Sequence, residues 1–338
     1  MALYIHMNQA MQNIFRRFVT DEDLHVYSID ESLLDVTASH NLFGPAEAIA
    51  AAILKMVKEE LGLIVTAGIG DNPLLAKLAL DNEAKKQPPW IAKWTYEMVP
   101  QTVWKIQPLT AFWGISRGYD KKLKQMGIYT IEALAHANPM RLQKTLGVMG
   151  LQLYYHAWGL DASILSQKVR PKSKSYSKNQ ILMRDYHEKA EILMVIKEMV
   201  GDVCARLRKH QEKCQEVYLG IGYSDRNLQV GFTARIKLVR PEHSTELISE
   251  ATRQEFIKRW HGEPVRSVNI TAGKIVPQGL EQLELFFEGE EKKHAMDRVV
   301  DDLRGRFGKK AIFYAGSMAG GTFLERADYV GGHKGKSE

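Results

Sequence analysis

Apolar residues recur at three- and four-residue spacing across residues 7–19 (Met7, Met11, Ile14, Phe15, Phe18), which predicts an amphipathic helix. Two β-type runs follow, Leu24–Ile29 and Leu33–Thr37, meeting at Asp30-Glu31-Ser32. Ile49, Ile53, Leu54 and Val57 then mark one face of a helix from Pro45 to about Leu61. Ile64–Ile69 is a short β-type run ending in Gly68-Ile69-Gly70, and Pro73 stands where a helix can open, reaching about Lys85. Helices mixed with strands make this region α+β. Gln87-Pro88-Pro89 breaks the chain. The pattern is helical from about Pro108 to Gly159, interrupted by glycine turns at Gly114-Ile115-Ser116 and Gly147-Val148-Met149-Gly150.

A basic polar linker, Arg170 to Ser175, leads into a β-α-β-β-α-β run over about 176–183, 188–210, 216–223, 229–239, 245–260 and 265–276. Its first helix carries the stripe Ile192, Ile196, Met199, Val203, Leu207. Its third strand alternates: Val230, Phe232, Ala234, Ile236 and Leu238 face one way, Thr233, Arg235 and Lys237 the other. This order suits a split-βαβ, ferredoxin-like domain. After Gly279 come an acidic stretch, a short helix around Met296–Phe307 and a glycine-rich end.

At 338 residues the chain is long for one core, so two or three domains are expected. No apolar run approaches the ~18 residues of a membrane span, and Met-Ala-Leu-Tyr-Ile-His does not read as a signal peptide. Two cysteines, Cys204 and Cys214, make neither a disulfide framework nor a zinc site, which fits a reducing cytoplasm. The net charge is +6, and Lys168–Cys214 alone holds 12 Lys/Arg against 6 Asp/Glu. So local an excess favours a polyanion, nucleic acid over membrane, against the alternative of a solvated, ion-paired helix face.

The adjacent carboxylates of Asp30 and Glu31 carry the candidate chemistry. Oxygen donors on a rigid strand suit a hard cation, and such cations neutralise a triphosphate during phosphoryl transfer. A bare Asp-Glu-Ser hairpin with solvated carboxylates is the plain alternative. The string Tyr27-Ser-Ile-Asp-Glu-Ser-Leu-Leu-Asp35 resembles the catalytic hairpin of the Y-family (UmuC-like) translesion DNA polymerases. Gly68-Ile69-Gly70-Asp71-Asn72-Pro73-Leu74-Leu75-Ala76-Lys77 continues that resemblance. Lys77, Asp81 and Lys85 then stand at i, i+4 and i+8, either a self-satisfied ladder or a cationic face for a nucleotide.

The resemblance implies an α+β multidomain chain: an incomplete palm (1–107), a helical helix-hairpin-helix thumb (108–168), a ferredoxin-like little finger (169–278) and a C-terminal tail (279–338). It implies Asp30 and Glu31 as catalytic ligands of Mg2+, and Lys85 (with Lys86 as competitor) and Lys77 on the triphosphate of a deoxynucleoside. Asp35 reads as a structural polar residue. Primer-template DNA would meet Gly114, Ser116, Gly147 and Gly150, then Lys172, Lys174, Lys178, Arg235 and Lys237. Gln282-Leu-Glu-Leu-Phe286 looks like the peptide with which bacterial polymerases grip the sliding clamp; Gln282, Leu283, Leu285 and Phe286 would make the contacts. The family's first metal-binding Asp, its fingers and its ribonucleotide-excluding aromatic residue have no counterpart before Asp30. The implied function is lesion-bypass nucleotidyl transfer, impaired by N-terminal truncation. The alternatives are a non-catalytic DNA- and clamp-binding protein, or an unrelated helix-hairpin-helix module.

Overall fold

The computed structural model describes residues 2–167, 171, 173–224, 231–279 and 290–326. They form two compact units, one within Ala2–Val169 and one within Arg170–Glu338.

In the first unit α1 (Ala2–Phe15) precedes an antiparallel pair, β1 (Leu24–Val26) and β2 (Ser32–Leu34), in register Leu24↔Leu34. These strands are shorter than the β-type runs. Tyr27 and Ser28 both donate their backbone N–H to the Glu31 carbonyl, pulling 27–31 out of the ladder into a turn. After a short α2 (His40–Phe43), α3 (Ala46–Leu61) ends at Gly62 in the left-handed region. Ile14, Phe18, Val19, Leu24, Ile49, Ile53 and Val57 form one small core here.

A parallel pair follows, β3 (Ala67–Gly70) and β4 (Ile91–Trp94), with α4 (Pro73–Ala79) between them. Asn72 caps α4 by accepting from the Leu75 N–H at 2.9 Å. α4 passes into a single π turn, Leu80–Ala84, closed by Lys85 N–H donating to Leu80 O. Four helices come next: α5 (Arg117–Gln125), α6 (Ile131–Ala135), α7 (Pro139–Leu146) and α8 (Val148–Ala157). A second core runs without a break from Leu74 through Val103 and Leu123 to Leu153 and Ala157, across position 107.

The second unit is a four-stranded sheet of β5 (Tyr176–Tyr186), β6 (Glu212–Tyr223), β7 (Phe232–Glu242) and β8 (Val265–Pro277), ordered β5-β8-β6-β7 with every neighbour antiparallel. α9 (Lys189–Lys209) and α10 (Thr245–Arg259) supply the buried side chains that cover one face. The element order matches the ferredoxin-like expectation, but the strand order corrects it. In that fold the third strand separates the first two; here the fourth, β8, does so. The sequence pattern fixes the elements and not which strand inserts.

Residues 290–326 also depart from the expected free tail. α11 (Glu290–Phe307) and α12 (Phe323–Arg326) fold onto this unit. Arg208 on α9 grips Asp301 through two bonds of 2.6 and 3.0 Å, and Asp297 accepts from the Thr245 N–H at the start of α10. Thr322 bonds Gln180 on β5 and Glu198 on α9. A patterned sequence does not announce such long-range polar pairs.

Candidate active site and nucleic-acid interface

The turn at 27–31 presents its carboxylates differently. Asp30 is exposed and accepts from the Ser28 hydroxyl at 2.6 Å; it makes no ion pair among the described residues. Asn8 on α1 steadies the turn by donating to the Ile29 carbonyl at 2.8 Å. Glu31 is turned onto α4, where its Oε1 lies 2.6 Å from Lys77 Nζ and 3.4 Å from Lys85 Nζ. Asp81 completes a square of alternating charge, 3.0 Å from Lys77 and 2.7 Å from Lys85. The ladder expected along α4 is therefore present and extended by Glu31. Lys85 follows the π turn and reaches both carboxylates, whereas Lys86 makes no ion pair among the described residues. Asp35 accepts from the Thr37 N–H and plays a local structural part.

β3 and α4 can touch this closely because Gly68 and Gly70 lack side chains. A Cβ on Gly68 would collide with the Ala76 carbonyl and the Leu80 amide, and one on Gly70 with Ala76 N. Asp81 went unremarked as a site residue in the sequence; its spacing from Lys77 and Lys85 was the available signal.

Burial alone would raise the Asp81 carboxyl pKa, but hydrogen bonds from Lys85 and Lys77 outweigh it and hold the group below its ordinary 3.8. Burial works against the Lys85 ammonium too, and Asp81 with Glu31 reverses the sign, lifting it above 10.5. A lowered carboxyl stabilises the fold fully above its unfolded value and less as pH falls through its folded one. A raised ammonium stabilises fully below 10.5 and less as pH climbs through its folded value. In urea titrations, the stability gap between wild type and Asp81→Asn is expected to be level from about pH 4 to 10.5. It should close on the acid side; a gap unchanged at pH 3 would refute the pairing.

Gly114 (φ +97°) and Gly147 (φ +69°) each stand in the left-handed region at an exposed turn. Ser116 is the N-cap of α5 and Gly147 that of α8, and neither helix start has a side-chain cap bond. Free N–H groups at these helix starts are suited to phosphate. Gly150 is a correction. It is buried where α8 crosses α7, and a Cβ there would strike the Leu142 carbonyl, so its smallness serves packing.

On the second unit the uncovered sheet face carries Ser177 and Asn179 from β5, Asn269 and Thr271 from β8, and Thr233, Arg235 and Lys237 from β7. Arg235 donates to Glu216 at 2.8 Å, and Tyr218 donates to the same carboxylate at 2.9 Å. Those bonds, the Arg235 one first, hold Glu216 below the usual carboxylate range. Lys274 lies 4.0 Å from Glu216, whereas Lys237 is exposed and makes no ion pair among the described residues. Tyr218, Glu216 and Lys274 were missed, because strand pairing and not local sequence gathers them. Lys178 is corrected. It shares the helix-covered face with Tyr176, Gln180 and Leu182 and pairs with Asp202 on α9. Lys174 pairs with Glu212 at 2.8 Å at the sheet's margin. Lys172 and Gln282–Phe286 lie outside the described residues.

Comparison with known proteins settles the lineage. Residues 1–81 match the impB/mucB/samB family and residues 173–285 its C-terminal domain. UvrX of Bacillus subtilis strain 168, whose name links it to UV-damage repair, is 41% identical over 335 residues, 99% of this chain and 79% of that protein. DNA polymerase IV 2 of the same strain is 35% identical over 91% of this chain and 74% of its own length. The chain belongs to the Y-family DNA polymerases. A solved Y-family DNA polymerase chimera (Dbh-Dpo4-Dbh) shares the fold, with TM-score 0.64 and 19% identity over 82% of this chain and 77% of its own. For this Y-family chain no helix among the described residues is long and apolar enough to cross a membrane.

Proposed function

We propose that this chain is a lesion-bypass polymerase that adds deoxynucleotides to primer-template DNA, with weak catalysis from these 338 residues. The observation carrying the reading is Glu31 set against Lys77 and Lys85, a carboxylate for a cation beside ammonium groups for a triphosphate.

The family depends on a divalent metal, and the donors here fit a hard ion such as Mg2+. Asp30 and Glu31 offer only oxygen, and Asp30 is exposed without an ionic partner among the described residues. When bound, the ion would neutralise phosphate charge and lower the pKa of a primer hydroxyl. Asp30 and Glu31 would hold that ion, and Lys77 and Lys85, which pair with Glu31, would be at hand for the triphosphate. Among the described residues Asp30 and Glu31 belong to no group of three or more side chains that could share an ion. The pairing of Glu31 with Lys77 and Lys85 would compete with an ion for that carboxylate, which supports impaired turnover. It also favours a second reading, a non-catalytic damaged-DNA- and clamp-binding protein.

The open sheet face would lie along the DNA backbone, its small polar side chains and Arg235, Lys237 and Lys274 meeting phosphates without reading bases. Such contacts tolerate a damaged template base. The turns at Gly114, Ser116 and Gly147 would add N–H contacts from a helical thumb that shares one core with the palm. Gln282, Leu283, Leu285 and Phe286 would enter an apolar pocket of the sliding clamp and raise the local concentration at DNA. The buried free thiols of Cys204 and Cys214 suit a reducing cytoplasm.

Anisotropy with a labelled primer-template should show salt-sensitive binding by the purified chain. Arg235→Ala with Lys237→Ala should lower the slope of log K against log salt by about 2. Mg2+-dependent extension should be weak. An unaltered slope rejects the sheet interface, vigorous extension rejects the impairment, and none at all favours the second reading.

A further inference from the structure

We propose that Glu242, His243 and His294 form a site for a zinc-like divalent transition metal that fastens α11 to the corner between β7 and α10. Glu242 ends β7, His243 lies in the short link before the α10 cap Ser244, and His294 sits near the start of α11. One ligand atom from each residue lies within 4.8 Å of the others. His243 Nδ1 is 3.9 Å and His294 Nε2 3.8 Å from Glu242 Oε1, both beyond hydrogen-bond reach. The two imidazole rings meet edge to face at 4.9 Å.

Burial makes the arrangement informative. The Glu242 and His243 side chains are only 6% and 7% exposed, and His294 is 17% exposed. His243 Nδ1 has no hydrogen-bond partner and faces the carboxylate across the gap. A buried acceptor left empty is costly, so a ligand there removes a penalty as well as adding bonds. Glu242 is already oriented, since it accepts from the backbone N–H groups of His243 and Ser244 at 2.7 and 2.8 Å. Both bonds fall on Oε1, so Oε2 is the oxygen left to ligate, with Arg240 Nε 3.9 Å from it.

The donor set selects the ion. Two imidazoles and one carboxylate suit zinc and its first-row neighbours, whereas Mg2+ and Ca2+ prefer oxygen alone. Tetrahedral ligands about 2.0–2.1 Å from zinc stand about 3.4 Å apart, so each histidine needs to come roughly half an ångström nearer Glu242 from 3.9 and 3.8 Å. His243 is on a link and His294 on a partly exposed helix, and both can make that movement. A water would take the fourth position.

The same junction contains Arg208 with Asp297 and Asp301, so the metal would reinforce an existing clasp. Arg208, which donates to the His243 carbonyl, and Arg240, 3.9 Å from Glu242, are among the cations at this junction.

The test uses the untagged, EDTA-stripped full chain with millimolar Mg2+ present, titrated with Co2+ and then with Zn2+. The expected result is one equivalent of cobalt with visible d–d absorption, bleached by zinc, and a rise in melting temperature with zinc. His294→Ala and His243→Gln should each weaken metal binding by more than the ~10–100-fold typical of losing an outer-shell partner. Far-UV circular dichroism checks that each variant folds, and His294→Gln replaces His294→Ala if it does not. No saturable binding by the wild type overturns the proposal. Equal binding by wild type and all folded variants overturns it too, since the ion would then sit elsewhere.

Discussion

Gly68→Ala is expected to cost the first unit on the order of 3–5 kcal/mol, enough to unfold most of it at ambient temperature. The new methyl group would overlap the Ala76 carbonyl oxygen and stand 2.5 Å from the Leu80 amide nitrogen, with the Leu80 Cβ also in its way. Two of these three atoms are backbone, so no rotamer change relieves the collision. β3 and α4 would have to part, opening the core at Leu74, Leu75 and Leu78, all fully buried. Lys77 rides on that helix and Lys85 follows the π turn that extends it, so the site fails with the packing. Gly62→Ala is the control. Gly62 has φ +67° but nothing within 4 Å of its Cβ position, so only backbone strain of about 1 kcal/mol is expected. Urea midpoints of the two variants measure the difference; equal midpoints would show that β3 and α4 are not in close contact.

Arg208→Ala is expected to release α11 at a cost of about 3–5 kcal/mol to that docking. The guanidinium is 9% exposed and holds Asp301 through two bonds, Asp297 at 3.2 Å, the His243 carbonyl at 2.8 Å and Thr245 at 3.1 Å. Burial alone would lower its pKa, and the hydrogen bond to Asp301 with the charges of Asp297 and Asp301 reverses that. Truncation leaves two carboxylates facing each other with their shared cation gone. Arg208→Lys keeps the charge but loses the paired geometry, so partial undocking is expected. Limited proteolysis checks both. Cleavage within 290–326 should be fast in Arg208→Ala, intermediate in Arg208→Lys and slow in wild type.

Local arithmetic carried much of this structure and long-range pairing carried the rest. The Lys77-Asp81-Lys85 ladder follows from helical spacing. Its meeting with Glu31, 46 residues before Lys77, does not. The same spacing selects Lys85 over Lys86, since Lys85 stands at i+4 from Asp81 and pairs with it. In β7 the alternation placed Thr233, Arg235 and Lys237 on the exposed side. In β5 the basic character of Lys178 overrode its phase, which it shares with buried Tyr176 and Gln180. Gly150 shows that a glycine in a helical turn serves a helix crossing as readily as a phosphate. The docking of residues 290–326 rests on partners as distant as Gln180 and Thr322.

We propose that Glu31, Lys77 and Lys85 form the metal–nucleotide end of the site. It is tested most directly by binding of a fluorescent deoxynucleoside triphosphate to the full chain, with and without Mg2+. Lys85→Ala is the informative variant, since Lys85 is the more exposed of the two lysines. Binding should require Mg2+ and weaken at least about tenfold in Lys85→Ala, a loss of ~1.4 kcal/mol. Equal affinity in wild type and Lys85→Ala, or affinity indifferent to Mg2+, would contradict the account.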